Sequence, residues 1–126
     1  MRQGELEKKA MRMGLLIIEQ PLARGNGLYD SRHGVIYLHD GLSPNQRLCA
    51  LQHEIIHAEH HRRGMQVGTL REERLTRKET ALRLISQADY ATVEQMYEAD
   101  VWHMAGELGV TVQVLEDYRQ QLSILI

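Results

Sequence analysis

The segment over residues 43–64 constrains the fold most, because it carries both a start and a stop signal for one long helix. Ser43 is a favourable capping residue, Pro44 suits the first helical position, and Gln46 completes a capping box. Gly64 follows the last periodic residue and is a typical helix terminator. The pattern therefore predicts a single helix that ends at about Arg63.

Short strands are expected before this helix and further helices after it. A polar helix over 2–13 precedes an apolar β-branched run at 15–18, and turn signals at 25–27 and 31–34 separate strands that begin at Leu28 and cover Val35–His39. Downstream, helices are expected over 70–86, from Thr92 to before Gly109, and over 112–122.

This order of elements predicts an α+β fold. We expect a small antiparallel sheet of about three strands, followed by a helical half that ends in a helix-turn-helix-like pair. One domain is expected over residues 1–126, with the sheet and metal-binding helices in 1–90 and a C-terminal helical subdomain in 91–126.

The composition is that of a globular protein with an aliphatic core. Hydrophobic residues make up 43% of the 126 residues and charged ones 25%, with no Phe and one Trp. Cys49 is the one cysteine, which excludes an internal disulfide and fits a reducing compartment. The longest apolar run is too short to cross a bilayer, and the charged N-terminus lacks the features of a secretion signal. These features favour a cytoplasmic location.

The predicted long helix carries the run His53-Glu54-Ile-Ile-His57. Residues four apart lie on one face of a helix, so the two imidazoles can bind one metal ion. In zinc peptidases with this pattern, the zinc lowers the pKa of a bound water and the glutamate accepts a proton from that water. The competing interpretation is a chance match on a His-rich helix.

Two histidines leave a zinc ion one protein ligand short, and Glu79 is the expected third ligand. Glu79 interrupts an apolar stripe in the helix over 70–86, where a metal ion would satisfy a buried carboxylate. A buried ion pair with an arginine is the alternative for Glu79. Glu73 is expected on the polar face, and Glu72 near a frayed helix end. His60 and His61 are expected at the exposed end of the zinc helix.

Two segments together resemble the ImmA/IrrE family of metallo-endopeptidases, in its short phage or mobile-element form. They are Ala-Leu-Gln-His-Glu-Ile-Ile-His-Ala-Glu over 50–59 and Glu-Thr-Ala-Leu-Arg-Leu-Ile over 79–85. The resemblance extends from about Leu15 to about Leu122. One departure is Ile56, because the residue before the second histidine is often small in the wider family.

The resemblance implies zinc bound by His53, His57 and Glu79, with Glu54 as the catalytic base. It also implies a protein substrate, typically a helix-turn-helix repressor of a phage or integrated element. The group that stabilises the oxyanion stays open among three residues: Tyr37, Tyr90 and His103.

Two other functions compete with peptidase activity. A non-catalytic zinc-binding anti-repressor would not need Glu54. A helix-turn-helix DNA-binding protein would need a basic recognition helix, whereas residues 112–122 are net acidic, so binding to nucleic acid is not expected. We instead expect Glu107, Glu116 and Asp117 to project outward and attract a basic protein partner.

Overall fold

The computed structural model describes residues 2–98 and 100–125. Within these residues the chain forms six helices and three strands. In chain order they are α1 (Arg2–Arg12), β1 (Leu16–Gln20), β2 (Gly27–Asp30), β3 (Val35–His39), α2 (Pro44–Arg62), α3 (Leu70–Leu84), α4 (Gln87–Tyr97), α5 (Val101–Leu108) and α6 (Val112–Leu125). The α+β class is confirmed.

The sheet is mixed, with the strand order β1-β3-β2. Strand β3 pairs antiparallel with β2 and parallel with β1. The expectation of an antiparallel sheet was therefore wrong for one of the two pairings. The chain reverses between β1 and β2 and again between β2 and β3, so β1 and β3 must run in the same direction when they become neighbours.

Strand β3 occupies the centre because it is the most apolar of the three strands. Its Val35, Ile36 and Leu38 side chains are buried, whereas β1 and β2 have mostly exposed or half-buried residues. Both edges of β3 are paired, so a substrate could not add to this strand. The free edges belong to β1 and β2, and β2 lies against helix α2.

Helix α2 forms as expected and is central to the packing. Its capping box is present: the Ser43 hydroxyl accepts from the Gln46 N–H at 3.2 Å, and the Gln46 side chain accepts from the Ser43 N–H at 2.9 Å. Leu51 and Ile55 belong to an apolar cluster with the sheet, whereas Leu48 belongs to a second cluster formed with the later helices.

The helix expected to start at Thr92 is instead two helices, α4 and α5. Helix α4 begins earlier because the Ser86 hydroxyl accepts from the Asp89 N–H, and Thr92 lies inside it. Glu98 ends α4 in the left-handed conformation with a φ of 46°. The Asp100 carboxylate then caps α5. Two capping side chains thus outweighed the helix-forming pattern that runs across them.

Helices α5 and α6 meet at Gly109, whose φ of 71° favours glycine. Met104, Leu108, Leu115 and Tyr118 are buried in the core they share with α2, α3 and α4. None of the described helices is long and apolar enough to cross a membrane.

The capping box on α2 leads to a stability prediction. Ser43→Ala removes the hydroxyl that accepts from the helix N-terminus, so the free energy of unfolding should fall by about 1 kcal/mol. Urea denaturation followed by circular dichroism measures this change. Ser123→Ala, which removes an exposed hydroxyl from α6, is the control. Equal effects of the two substitutions would contradict the capping role.

Candidate active site

Helix α2 places His53, Glu54 and His57 at one cleft. The imidazole rings of His53 and His57 lie one turn apart, with their centroids 4.8 Å from each other. Glu54 is buried, with 7% of its surface exposed. His53 and Glu54 line a cavity of about 310 Å³ between α2, α3, the start of α6 and the loop that leads into β2.

Glu73 is the carboxylate that faces the two histidines. Its Oε1 lies 2.9 Å from His53 Nε2, and its Oε2 lies 3.0 Å from His57 Nε2. One donor atom from each of the three residues lies within 4.8 Å of the other two. Two imidazoles and one carboxylate are a donor set that suits zinc, and the cleft leaves an open side for water or substrate. The residues present therefore fit a zinc ion.

The structure does not bring Glu79, the expected third ligand, to this cluster. Its Oε2 lies 2.5 Å from His60 Nε2, on the other side of the network. The reason lies in the buried face of α3, which is formed by Glu72, Thr76, Thr80 and Leu84 rather than by the apolar stripe.

Two threonines account for this difference in helix orientation. Thr76 and Thr80 are buried because their hydroxyls donate to the backbone carbonyls of Glu72 and Thr76, at 2.8 Å and 2.7 Å. With these residues inward, Glu73 turns towards helix α2. The four-residue spacing of Glu72, Thr76, Thr80 and Leu84 was the signal in the sequence for this face.

A buried network holds His57 from behind. The carboxylate oxygen Oε2 of Glu72 lies 2.6 Å from His57 Nδ1, 2.7 Å from His60 Nδ1 and 2.8 Å from the Thr76 hydroxyl. A carboxylate accepts from Nδ1–H, so Nε2, which faces Glu73 and His53, is the nitrogen that would lose its proton to a bound metal ion. Glu72 thus holds the proton on Nδ1 and sets the direction of the His57 ring.

His60 was expected at the exposed end of α2 but is fully buried. Its two ring nitrogens contact the carboxylates of Glu72 and Glu79. His57, His60 and Glu72 also form a compact group of metal-ligand types. Because their Nδ1 atoms already share one hydrogen-bonded carboxylate oxygen, we interpret this group as support for His57. His61, by contrast, is exposed and contacts the Tyr29 hydroxyl.

The charges of the cluster shift several pKa values. Burial alone would lower the pKa of His57, but hydrogen bonds to Glu73 and Glu72 and the charge of Glu54 raise it to about 9. Burial would raise the pKa of Glu72, but hydrogen bonds from His60, Gly68, Thr76 and His57 lower it to about 2. Burial raises the pKa of Glu54, against the opposing effect of His53 and His57. A raised pKa suits a carboxylate that must accept a proton near neutral pH.

Gly27 allows strand β2 to approach Glu54 closely. A Cβ atom at this position would lie 2.9 Å from Glu54 Cγ and 3.0 Å from Glu54 Oε2. Any larger residue would therefore push on the Glu54 side chain. The edge strand and Glu54 form adjacent walls of the cleft.

The chain matches the model of a peptidase family described as the IrrE N-terminal-like domain over residues 10–117. It belongs to this family. The membership supports a metallopeptidase-type function, in agreement with the cluster of histidines and carboxylates in the cleft. No curated protein matches the chain.

The three candidate oxyanion residues lie elsewhere in this IrrE-like domain. Tyr37 is on the central strand, Tyr90 packs against Tyr118 with ring centroids 5.0 Å apart, and His103 pairs with Asp100 at 2.6 Å. None of the three lines the cleft around His53 and Glu54. Cys49 is buried as expected.

Asp117 was expected to project outward but has only 8% of its surface exposed. Its carboxylate accepts two hydrogen bonds from Arg77, at 2.7 Å and 3.1 Å. Glu107 and Glu116 are exposed, as expected. The acidic surface of the C-terminal half therefore lacks one of its three expected members.

Replacing Glu72 tests the support of His57. Glu72→Gln keeps the size of the side chain but weakens the acceptor at Nδ1, so zinc affinity should fall roughly tenfold to hundredfold. Competition with a chelating dye measures the affinity, and nitrogen NMR of the zinc-loaded protein reports whether Nδ1 of His57 keeps its proton.

Glu59→Gln is the matched control, since Glu59 also lies near a helix–helix contact but pairs with Lys9 and Arg83. If Glu72→Gln binds zinc as tightly as Glu59→Gln, the supporting role is wrong.

Proposed function

We propose that the chain is a zinc-dependent endopeptidase in which His53, His57 and Glu73 hold the metal and Glu54 is the general base. The observation that carries this proposal is the placement of Glu73 against both histidines, beside Glu54, in one cleft. Membership of a peptidase family supports it. The third-ligand assignment thus moves from Glu79 to Glu73.

The residues of the cleft divide the chemistry between them. A bound zinc ion would polarise the peptide carbonyl and acidify a water molecule. Glu54 accepts a proton from the attacking water and delivers it to the leaving nitrogen. The water oxygen bonds to the carbonyl carbon, the peptide C–N bond breaks, and a carboxyl group and an amine result.

The proposed substrate is a protein, and specifically a helix-turn-helix repressor of a phage or mobile element, cleaved in the cytoplasm. The repressor comes from the resemblance to the ImmA/IrrE family, and such cleavage would end lysogeny or release a mobile element. The exposed Glu107 and Glu116 of the C-terminal half support a basic partner, because complementary charge accelerates the encounter with a basic protein.

The alternative of a non-catalytic zinc-binding anti-repressor leaves Glu54 unexplained. A carboxylate is costly to bury, and the set of His53, His57 and Glu73 would hold a metal ion without it. The structure argues against DNA binding by α6, because Glu116 exposes a negative charge on this helix and Asp117 engages Arg77.

The proposed metal ligands predict different effects for substitutions at two glutamates of α3. Glu73→Gln should lower zinc affinity by at least roughly a hundredfold, because it removes one of three protein ligands. Glu79→Gln should have a much smaller effect, since this carboxylate contacts His60. Zinc content after dialysis and competition with a chelating dye measure both. The opposite ranking would return the role to Glu79.

The catalytic assignment predicts that Glu54→Gln loses activity while keeping its metal. Cleavage should fall by at least roughly a hundredfold, the usual cost of losing an acid–base group, with zinc content and melting temperature nearly unchanged. A quenched-fluorescent peptide library and a purified phage repressor serve as substrates, and Glu59→Gln is the control. Wild-type rates in Glu54→Gln would exclude this mechanism.

A further inference from the structure

Arg77 is one of the residues that line the same cleft as the metal cluster. The described residues that line this cleft include the carboxylates of Glu54, Glu73 and Asp117, and Arg77 is the one Lys or Arg side chain among them. Arg77 follows Glu73 by four residues on α3, so the two side chains share a face of the helix. The guanidinium is therefore next to the proposed third ligand.

Helix α6 holds Arg77 in a defined orientation. Arg77 Nε donates to Asp117 Oδ2 at 3.1 Å and Arg77 Nη2 donates to Asp117 Oδ1 at 2.7 Å, while the Gln113 amide donates to the same Oδ1 at 3.1 Å. The Asp117 side chain is only 11% exposed, whereas that of Arg77 is 45% exposed. A two-point pair of this kind fixes the plane of the guanidinium.

The free part of this guanidinium is available to a ligand. Nε and one N–H of Nη2 are engaged, and Nη1 makes no hydrogen bond among the residues that the structure describes. A donor that is half-exposed, rigidly held and directed by a buried carboxylate is pre-organised for binding. Nothing in the packing of α3 against α6 requires Nη1.

The surrounding charges decide which group Arg77 can bind. Asp117 already balances the charge of Arg77, and Glu54 adds a negative charge to the same cleft, so a carboxylate or phosphate gains little attraction here. A neutral carbonyl oxygen still gains from a charged N–H donor. The best ligand for this site is therefore the backbone of an extended peptide.

We propose that Arg77 binds the substrate by donating from its guanidinium to a backbone carbonyl oxygen beside the bond that is cleaved. Asp117 and Gln113 are positioning residues that act through Arg77. This proposal rests on the proposed peptidase function and adds the residue that aligns the peptide. In this proposal the acidic helix α6 contributes to the active site through Asp117 and Gln113.

The test compares Arg77→Met with Arg74→Met. Methionine keeps much of the apolar stem but removes the donors, and Arg74 is an exposed arginine one turn earlier on α3 that does not line the cleft. Asp117→Asn and Arg77→Lys complete the set. Zinc content and melting temperature are measured first, to show that each variant is folded and loaded.

Peptide binding is then measured separately from cleavage. Fluorescence anisotropy follows a labelled neutral peptide library on zinc-loaded protein carrying Glu54→Gln, alone and combined with each variant. Cleavage of quenched peptides by proteins with Glu54 intact gives kcat and KM. Each peptide is paired with a version in which one glutamine is replaced by glutamate.

Arg77→Met should lower kcat/KM for neutral peptides roughly tenfold to hundredfold, the usual effect of losing a charged hydrogen bond, and weaken their binding with unchanged zinc content. Arg77→Lys should recover part of this loss, Asp117→Asn should show a smaller loss, and Arg74→Met should match the parent protein.

Equal behaviour of Arg77→Met and Arg74→Met would overturn the proposal, as would a loss confined to the glutamate-containing peptides. If Arg77→Met does not fold, unchanged binding in Arg77→Lys and Asp117→Asn would overturn it equally. Absence of cleavage by the unsubstituted protein, with peptide binding that still depends on Arg77, would count against the peptidase function alone. Absence of any peptide binding would overturn the substrate-binding role.

Discussion

The contact between helices α2 and α3 rests on one buried carboxylate, that of Glu72. It accepts from His57 and His60 through one oxygen and from the Gly68 backbone N–H through the other. A buried charge without such partners is expensive, so these hydrogen bonds hold the two helices in one relative orientation. The same bonds leave Nε2 of His57 free to face the cleft.

The rest of the site follows from that orientation of α3. Glu73 comes next after Glu72 and therefore reaches the histidine pair, and Arg77 follows one turn later at the same cleft. Helix α6 packs on α3 and fixes Arg77 through Asp117. On the opposite side Gly27 lets strand β2 approach Glu54. Helices α2, α3 and α6 and the start of strand β2 thus meet around this cleft.

Sequence reasoning worked where a local rule decides the outcome. The capping box of Ser43 and Gln46 depends on side chains three residues apart, and it forms as expected. On α3 an apolar stripe predicted that the face with Glu79 points inward, whereas the face with two threonines is the buried one. The hydroxyls of Thr76 and Thr80 donate to backbone carbonyls one turn earlier in the same helix. These two polar side chains can therefore be buried, and the polarity of a residue did not predict its burial on α3.

The amino-acid sequence by itself determined helix α2, the juxtaposition of His53, Glu54 and His57 and the α+β order of elements, because helical periodicity and capping act within a few residues. Only the tertiary structure decided that the sheet is mixed, that His60 is buried and that Glu73 faces the histidines. The physical reason is that the pairing of the strands and the rotation of α3 are those that give the buried polar groups hydrogen-bond partners. These partners come from residues far apart in the chain.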